Sequence, residues 1–399
     1  MESESNGRKK IAIIGANEFQ RPLIRKANEL GYETHVFAWQ QGSVGAKDAY
    51  RYYPISIVDK EEILAECRKI GVDGVATIGS DLGAITVSYL AEQMGLTGNT
   101  KKCQVLSTNK YQMRKAFAEA GIAVPEFELV DTSDCLAKFR ERNMKLPLIV
   151  KPTDRSGSRA VTLVLTEEEL KGAVAAAVEC SFQKKAIMES FLHGSEYSCE
   201  CMSVHGDHHF LAMTKKFTTG YPHYIETGHL EPSGLDRDTE ERAVSTVIKA
   251  LDALKIMEGA SHSEFRIDAD GEIHMIEVGA RMGGDCIGSH LVWLSTGYDF
   301  LKMVIDNAVG QPVVFEQAHP SQVAYIRFVH DMEDYVLFRQ IQERFPNRIC
   351  ESFGLQDFST ERMHDVTDSS SRYGYYIVTC RTVEDLEETI GREQLDELE

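Results

Sequence analysis

The spacing of apolar and polar positions divides the chain into stretches of different rhythm. Lys10-Ile11-Ala12-Ile13-Ile14-Gly15 is an apolar run of buried-strand type, a helical period follows from about Gln20 to Leu30, and Glu33-Thr34-His35-Val36-Phe37 reads as a second strand. The alternation continues through Asp73-Gly74-Val75-Ala76-Thr77-Ile78 and a helix after Gly83. Strands and helices alternating in this way predict a parallel, doubly wound sheet over roughly the first hundred residues. Residues 107–120 read as one capped helix that closes at Gly121, with Lys110 in its first turn. Leu146 to Pro152 is a strand ending near Lys151, followed by the small-residue loop Thr153 to Arg159 and another strand. Residues 186–192 and 196–204 are strand-like, and residues 215–230, dense in charged and aromatic groups, are expected to form a long functional loop or lid. After a helix over Glu240–Leu254, the run Ser263–Ile267 breaks at Asp268-Ala269-Asp270-Gly271 and resumes as Ile273–Val278, which predicts a hairpin. A helix from about Tyr298 to Val309 follows. Beyond Pro312 the pattern changes to short strands, 323–328 and 373–378, and then an acidic helix from Val383, with no internal repeat and no low-complexity linker.

Composition narrows the partners. A chain of 399 residues with 43 % hydrophobic content is long enough for two or three domains with real cores. A formal charge of -19 argues against nucleic acid or an anionic membrane as the main partner, and makes individual Lys and Arg residues the places where an anionic small molecule would be held. The nine cysteines are odd in number, scattered and without a CxxC pair, which suggests reduced thiols and a cytoplasmic protein. Cys199 and Cys201 alternate on a strand and read as packing. No signal peptide or membrane-length apolar run is present, and the leading MESESNGRKK is expected to fray.

Candidate chemistry concentrates on the hairpin. Glu264 and Glu277 sit on adjacent strands, where both carboxylates can point into one cleft and hold Mg2+, a hard ion that takes oxygen ligands and keeps substrate phosphates as others. Arg281 follows, with Gly279, Gly283 and Gly284 around it, placed to stabilise charge developing in phosphoryl transfer. Lys151 at a strand end before the Ser156-Gly157-Ser158 loop outlines a phosphate clamp, and Lys110 at a helix start is placed to meet an anion. The first turn, Gly15-Ala16-Asn17-Glu18-Phe19-Gln20, lacks the second and third glycines of a dinucleotide site, and no GxxxxGK[ST] occurs, so a hydride-transfer enzyme and a Walker-type ATPase are disfavoured.

Together these pieces resemble the ATP-grasp superfamily of carboxylate–amine ligases. The resemblance covers most of the chain and implies an α/β and α+β multidomain protein. Its parts would be a Rossmann-like domain over 1–105, an ATP-grasp domain over 106–310 with a mobile flap at about 122–188, and a small β-rich domain over 311–399. It further implies that Lys110 and Lys151 bind ATP phosphates, that Thr153 to Arg159 is the glycine-rich flap, and that Glu189, Phe191 and Leu192 belong to the hinge that receives adenine. Glu196 would hold the ribose hydroxyls, Glu264 and Glu277 would bind Mg2+, with Mn2+ as an alternative, and Arg281 would be the arginine of the E-x-N-x-R signature. Gly279 departs from that signature, and its missing side chain removes one ligand of a second metal.

The run from Glu277 to Asp285 and the stretch from Gly220 to His229 look most like the L-amino acid ligase branch. The reaction this implies is transfer of the ATP γ-phosphoryl group to a carboxylate, followed by attack of an amine on the acyl phosphate to give an amide, ADP and phosphate. Glu226 and His229 are candidates for handling the amine, against the reading of a satisfied loop histidine. Gly283 and Gly284 could offer a nest of backbone amides to the substrate carboxylate, or simply serve a tight turn. Small-molecule carboxylate and amine substrates, amino acids by this resemblance, are the expected partners, with a homodimer also compatible. Rival readings are an ATP-grasp enzyme of purine synthesis or biotin carboxylation, and a nucleotide sensor without turnover.

Overall fold

The computed structural model describes residues 8–221, 224–356, 358 and 364–392. The frayed start expected for the first residues therefore lies, up to residue 7, outside the described residues. Near the N-terminus, β1 (Lys10–Ile14), β2 (Glu33–Phe37), β3 (Arg51–Tyr53) and β4 (Gly74–Ala76) form a parallel sheet in the order β3-β2-β1-β4. Residues 11–14 are fully buried, as an apolar run covered on both faces requires. The doubly wound expectation holds here, and the helix after β4 starts at Asp81, capped by the Ser80 hydroxyl, which accepts from the Gly83 amide.

A second, antiparallel sheet is made by β5 (Phe127–Val130), β6 (Leu148–Pro152), β7 (Thr162–Val164) and β8 (Ala186–Ser190), in the order β5-β8-β6-β7. The helix Glu167–Cys180 covers it through Leu170, Val174 and Ala177. The largest sheet has eight strands: β9 (Ser195–Val204), β10 (Asp207–Thr218), β11 (Glu226–Glu231), β12 (Gly259–Ile267), β13 (Ile273–Gly279), β14 (Val323–Val329), β15 (Ile349–Phe353) and β16 (Gly374–Cys380). Their order is β13-β12-β9-β10-β11-β14-β16-β15, so the C-terminal strands extend the same sheet through pairing of β11 with β14.

Two local expectations are corrected. Residues 107–120 do not form one helix: Lys101–Thr108 and Lys110–Glu119 are separate, because Asn109 leaves helical geometry at φ -106°, ψ 108° and its side chain caps the second helix at the Gln112 amide. The long loop expected over 215–230 is mostly strand. Lys215 to Thr218 end β10, Glu226 to Leu230 lie on β11, and Pro222 and His223 lie outside the described residues. Charged side chains at alternate positions disguised the strand: Phe217 packs into the core with Leu230 and Tyr325, while its neighbour Lys216 faces the opposite side. The helix Met332–Arg344 in the C-terminal segment is a further element that the short-strand pattern did not predict.

Candidate active site

One face of the large sheet is apolar and the other carries the chemistry. Tyr197, Cys199, Cys201, Met213, Phe265 and Met275 turn to the core under the helix Arg237–Ala253. From the opposite face Glu196, His262, Glu264 and Arg266 line a cavity of about 570 Å3, a size suited to a small ligand or cofactor. Cys199 and Cys201 are thus core residues, as their spacing suggested.

The placement of the two acids depends on a bulge. From the turn outward, Ile267 pairs with Ile273, Arg266 with His274 and Phe265 with Met275, so a regular hairpin would set Glu264 against Ile276 and turn Glu277 to the core face. The register shifts between Glu264 and Phe265, Ile276 becomes the extra residue, and Glu277 comes to lie directly opposite Glu264. Each carboxylate is held by a lysine at 2.5 Å, Glu277 by Lys110 and Glu264 by Lys216. Burial would raise the Glu264 carboxyl, but Lys216 and His262 outweigh it and hold it well below the usual carboxylate range. Burial would likewise lower the Lys216 ammonium, yet Glu264, Glu196 and Glu226 keep it well above its usual value.

Lys110 is the first residue of its helix, and its amide donates to the Thr153 carbonyl at 2.7 Å, which joins that helix to the root of the 153–159 loop. Lys151, on β6, pairs with Glu189 of β8 at 2.6 Å, and Arg114 pairs with the other oxygen of Glu189 at 2.6 Å. The Glu189 carboxylate is therefore committed to two cations, and what the hinge turns to a ligand is its backbone and the residues after it. Arg281 donates from Nε at 2.9 Å to Asp81, the first residue of the helix after β4. The same contact is supported by a parallel bridge between Ile78 and Met282. Gly279 acquires a physical role here, since a Cβ on it would stand 3.1 Å from the Arg281 guanidinium carbon. The space next to Gly279 is taken by the Arg281 guanidinium.

Phe191 and Leu192 follow β8 into the cavity. Arg266 lies over the Phe191 ring at 5.6 Å, donates to the Leu192 carbonyl at 2.6 Å and pairs with Glu196 at 3.0 Å, so the hinge and the expected ribose carboxylate are fixed by one guanidinium. Ser156, Gly157 and Ser158 line the cavity from the flap, with Gly157 and Ser158 in left-handed geometry at φ 69° and 54°. The loop is tied at its root by Asp154, whose carboxylate accepts from the Phe182 and Gln183 amides.

At the far end, Glu226 accepts from the Ser369 hydroxyl at 2.8 Å, and burial pushes its carboxyl up. His229 is buried without a hydrogen-bond partner on either ring nitrogen, and burial lowers it to about 3, which leaves it neutral. Asp285 and Arg372 make a two-point ion pair at 2.8 Å beside it. Gly284 lines the cavity, but Gly283 does not: its amide donates to the buried Glu200 carboxylate at 2.9 Å. The two-glycine nest is corrected accordingly, because the Gly283 N–H is already used inside the protein.

With this geometry in place, comparison with known families is informative. Residues 144–289 match the ATP-grasp domain family. That match places an ATP-grasp domain over the flap, the hinge, the hairpin and the Arg281 turn. It is similar to D-alanine--D-alanine ligase B of Chromobacterium violaceum, 29% identical over 247 residues that cover 59% of this chain and 77% of that protein. It is also similar to the alanine--anticapsin ligase of Bacillus subtilis, 27% identical over 56% of this chain, where it spans about half (51%) of the relative's length. The L-amino acid ligase from Bacillus licheniformis shares the fold with a TM-score of 0.80 at 24% identity over 98% of both chains. Enzymes of this ATP-grasp kind are ATP-dependent ligases that use ATP with a divalent metal. Among the described residues, no helix is long and apolar enough to cross a membrane.

The donor set of this site fits a divalent ion: two carboxylates stand in direct cross-strand register, Glu277 paired with Lys110 and Glu264 with Lys216 and His262. Several residues of the site were not singled out from sequence. His262 had a readable signal, because a position two before Glu264 on a strand shares its face. Lys216 was hidden in what read as a loop. Asp81, Arg114 and Arg372 come from distant segments, and nothing local marks them.

Proposed function

We propose that this protein uses MgATP to join an amino-acid-type carboxylate to an amine through an acyl phosphate. The observation that carries the reading is the convergence of Glu264 and Glu277 with Lys110, Lys151 and Arg281 on one cavity, which also receives the flap and the hinge. Phe191, Leu192 and the hinge backbone take the base, Glu196 the ribose, and Lys110, Lys151 and the 156–158 loop the phosphates. Glu264 and Glu277 hold Mg2+, which when bound neutralises phosphate charge. A carboxylate oxygen of the first substrate attacks the γ-phosphorus, the bond to the β-phosphate oxygen breaks, and ADP leaves. Arg281 offsets the charge that develops on the transferring group. The amine then attacks the acyl carbon, phosphate departs, and the amine's proton is taken up within the site. Glu226, whose carboxyl burial pushes up, is the available acceptor facing that end, with neutral His229 beside it. The Asp285–Arg372 pair fixes the wall against which the amine substrate lies.

The test is a phosphate-release screen with MgATP over pairs of amino acids, with products identified by mass. The ligase reading requires that ADP release depend on both a carboxylate and an amine. Release that ignores every added amino acid, amine and bicarbonate would leave an ATPase or a sensor.

A further inference from the structure

Behind the two facing carboxylates lies a fully buried acid that the roles above do not use. Glu200, on the central strand β9, is 0% exposed and stands directly opposite His262 of β12. One of its oxygens pairs with Nδ1 of His262, and the other accepts the Gly283 amide at 2.9 Å. The second ring nitrogen of His262, Nε2, lies 3.2 Å from Oε1 of Glu264. A continuous chain of polar contacts thus runs from Glu264 through His262 and Glu200 to the peptide N–H of Gly283, two residues beyond Arg281. Gly283 is shaped for this chain: a Cβ there would stand 2.7 Å from Glu200 Oε1 and 2.9 Å from His262 Nδ1.

We propose that Glu200 is a positioning residue that sets the orientation of Glu264, through His262, relative to the turn carrying Arg281, through Gly283. A carboxylate cut off from water is tolerated only when its oxygens are paired, and both oxygens of Glu200 are paired with groups that belong to the site rather than to the core. The His262 ring is fixed from both nitrogens at once, so the ring plane, and with it the Glu264 oxygen that Nε2 meets, has one orientation. Outer partners of this kind hold a metal-binding carboxylate in place and tune what it binds. The same acid reaches the backbone of the Arg281–Gly284 turn, so the metal-binding strand pair and the phosphoryl-stabilising turn are registered by one side chain. This inference rests on Glu264 being a metal ligand.

The experiment titrates Mn2+ into the protein with ADP bound, read by electron paramagnetic resonance, beside metal-free ADP affinity and melting temperature. The proteins compared are wild type, Glu200→Gln, His262→Asn and Gly283→Ala. Each substitution should weaken Mn2+ binding about tenfold while metal-free ADP affinity stays within about twofold, because base, ribose and lysine contacts are untouched. Glu200→Gln combined with His262→Asn should lose little more than either alone, as members of one chain do. A purely structural Glu200 would lower the melting temperature and leave the Mn2+ affinity of the folded variants unchanged, and that result overturns the proposal. If Glu200→Gln does not fold, His262→Asn and Gly283→Ala decide by the same criterion. Wild-type protein that binds ADP but no Mn2+ would remove the metal assignment and this inference with it, whereas wild-type binding with unaltered variants removes the inference alone.

Discussion

Replacement of Arg281 by alanine discriminates most sharply between an enzyme and a protein that merely binds nucleotide. The guanidinium is held by Asp81 at 2.9 Å and by the Met282 carbonyl at 3.3 Å, with only 14% of the side chain exposed. Burial would lower it, but Asp81, Glu264 and Glu277 keep it above its usual value, so it is a cation throughout the cycle. Removing a preorganised charge that acts on the transition state typically costs about 3 kcal/mol. At 1.36 kcal/mol per tenfold, that is about a hundredfold in kcat, with KM for ATP little changed because the interaction is stronger in the transition state than with bound ATP. Loss of the Asp81 pair also costs stability, on the order of 1–3 kcal/mol for a mostly buried charged contact. Asp81→Asn separates the two effects, because it breaks the same ion pair and leaves the guanidinium in place. The two variants should lose similar stability in urea unfolding, while in a coupled ADP-release assay at saturating MgATP, acid and amine the loss for Asp81→Asn should stay under about tenfold. Equal kcat losses in both variants would make Arg281 a structural partner of Asp81. A change in nucleotide affinity alone would refute the role in phosphoryl transfer.

Three further outcomes are expected. Glu277→Gln should abolish turnover while ATP binding by calorimetry stays within about tenfold, since the hinge, Glu196 and both lysines are retained; full activity would remove the metal assignment. Residues 153–159 should show weak amide-exchange protection without nucleotide and strong protection with it, because Ser156, Gly157 and Ser158 have little to bury until phosphate arrives; equal protection in both states would count against closure. Glu231 is buried between the Thr214 and Ser295 hydroxyls, and burial pushes its carboxyl from 4.5 up to about 8. The fold therefore keeps a proton that the unfolded chain releases above about 4.5, and this group's contribution to stability should fall as pH rises from about 4.5 to about 8, by at most about 1.4 kcal/mol per unit. Glu231→Gln should remove that part of the slope in unfolding measured at pH 5 and pH 8, and an unchanged slope would mean that Glu231 ionises freely in the fold.

Much of the architecture was legible because burial writes a plain pattern. The run Ile11–Ile14 is fully buried and reads as a parallel-sheet strand, and the helix and hairpin around Asp268–Gly271 lie within a few residues of their expected places. The pattern failed where a strand borders the cavity. On β10, the buried position next to Phe217 is Lys216, a charge paid for by three surrounding carboxylates from other strands, and hydropathy alone cannot distinguish that from a solvated loop. The break at Asn109 failed for a different reason: Ser107-Thr108-Asn109 offers three competent caps, and only the Asn109 backbone, bent toward the Thr153 carbonyl contact of its neighbour Lys110, selects among them.

The site was legible as a set of residue types but not as a geometry. Glu277 lies thirteen positions after Glu264, and in an unbulged hairpin that spacing sends one of them to the core face. The extra residue, Ile276, corrects the register, and no feature of an apolar isoleucine in a strand announces it. The same limit applies to Gly279. Read as a missing ligand it weakens the case for catalysis, but in three dimensions the space it leaves is filled by the Arg281 guanidinium on its way to Asp81. The Cβ of an asparagine at that position would stand 3.1 Å from the guanidinium carbon, so the arginine would have to give way for it. The lysines complete the site: Lys110 and Lys216 neutralise the two carboxylates in the protein alone, and a divalent ion taken up by Glu264 and Glu277 would release both ammonium groups toward the anion that arrives with it. Under the proposed function, cations held in this way by carboxylates would let so acidic a chain receive the anion its reaction requires.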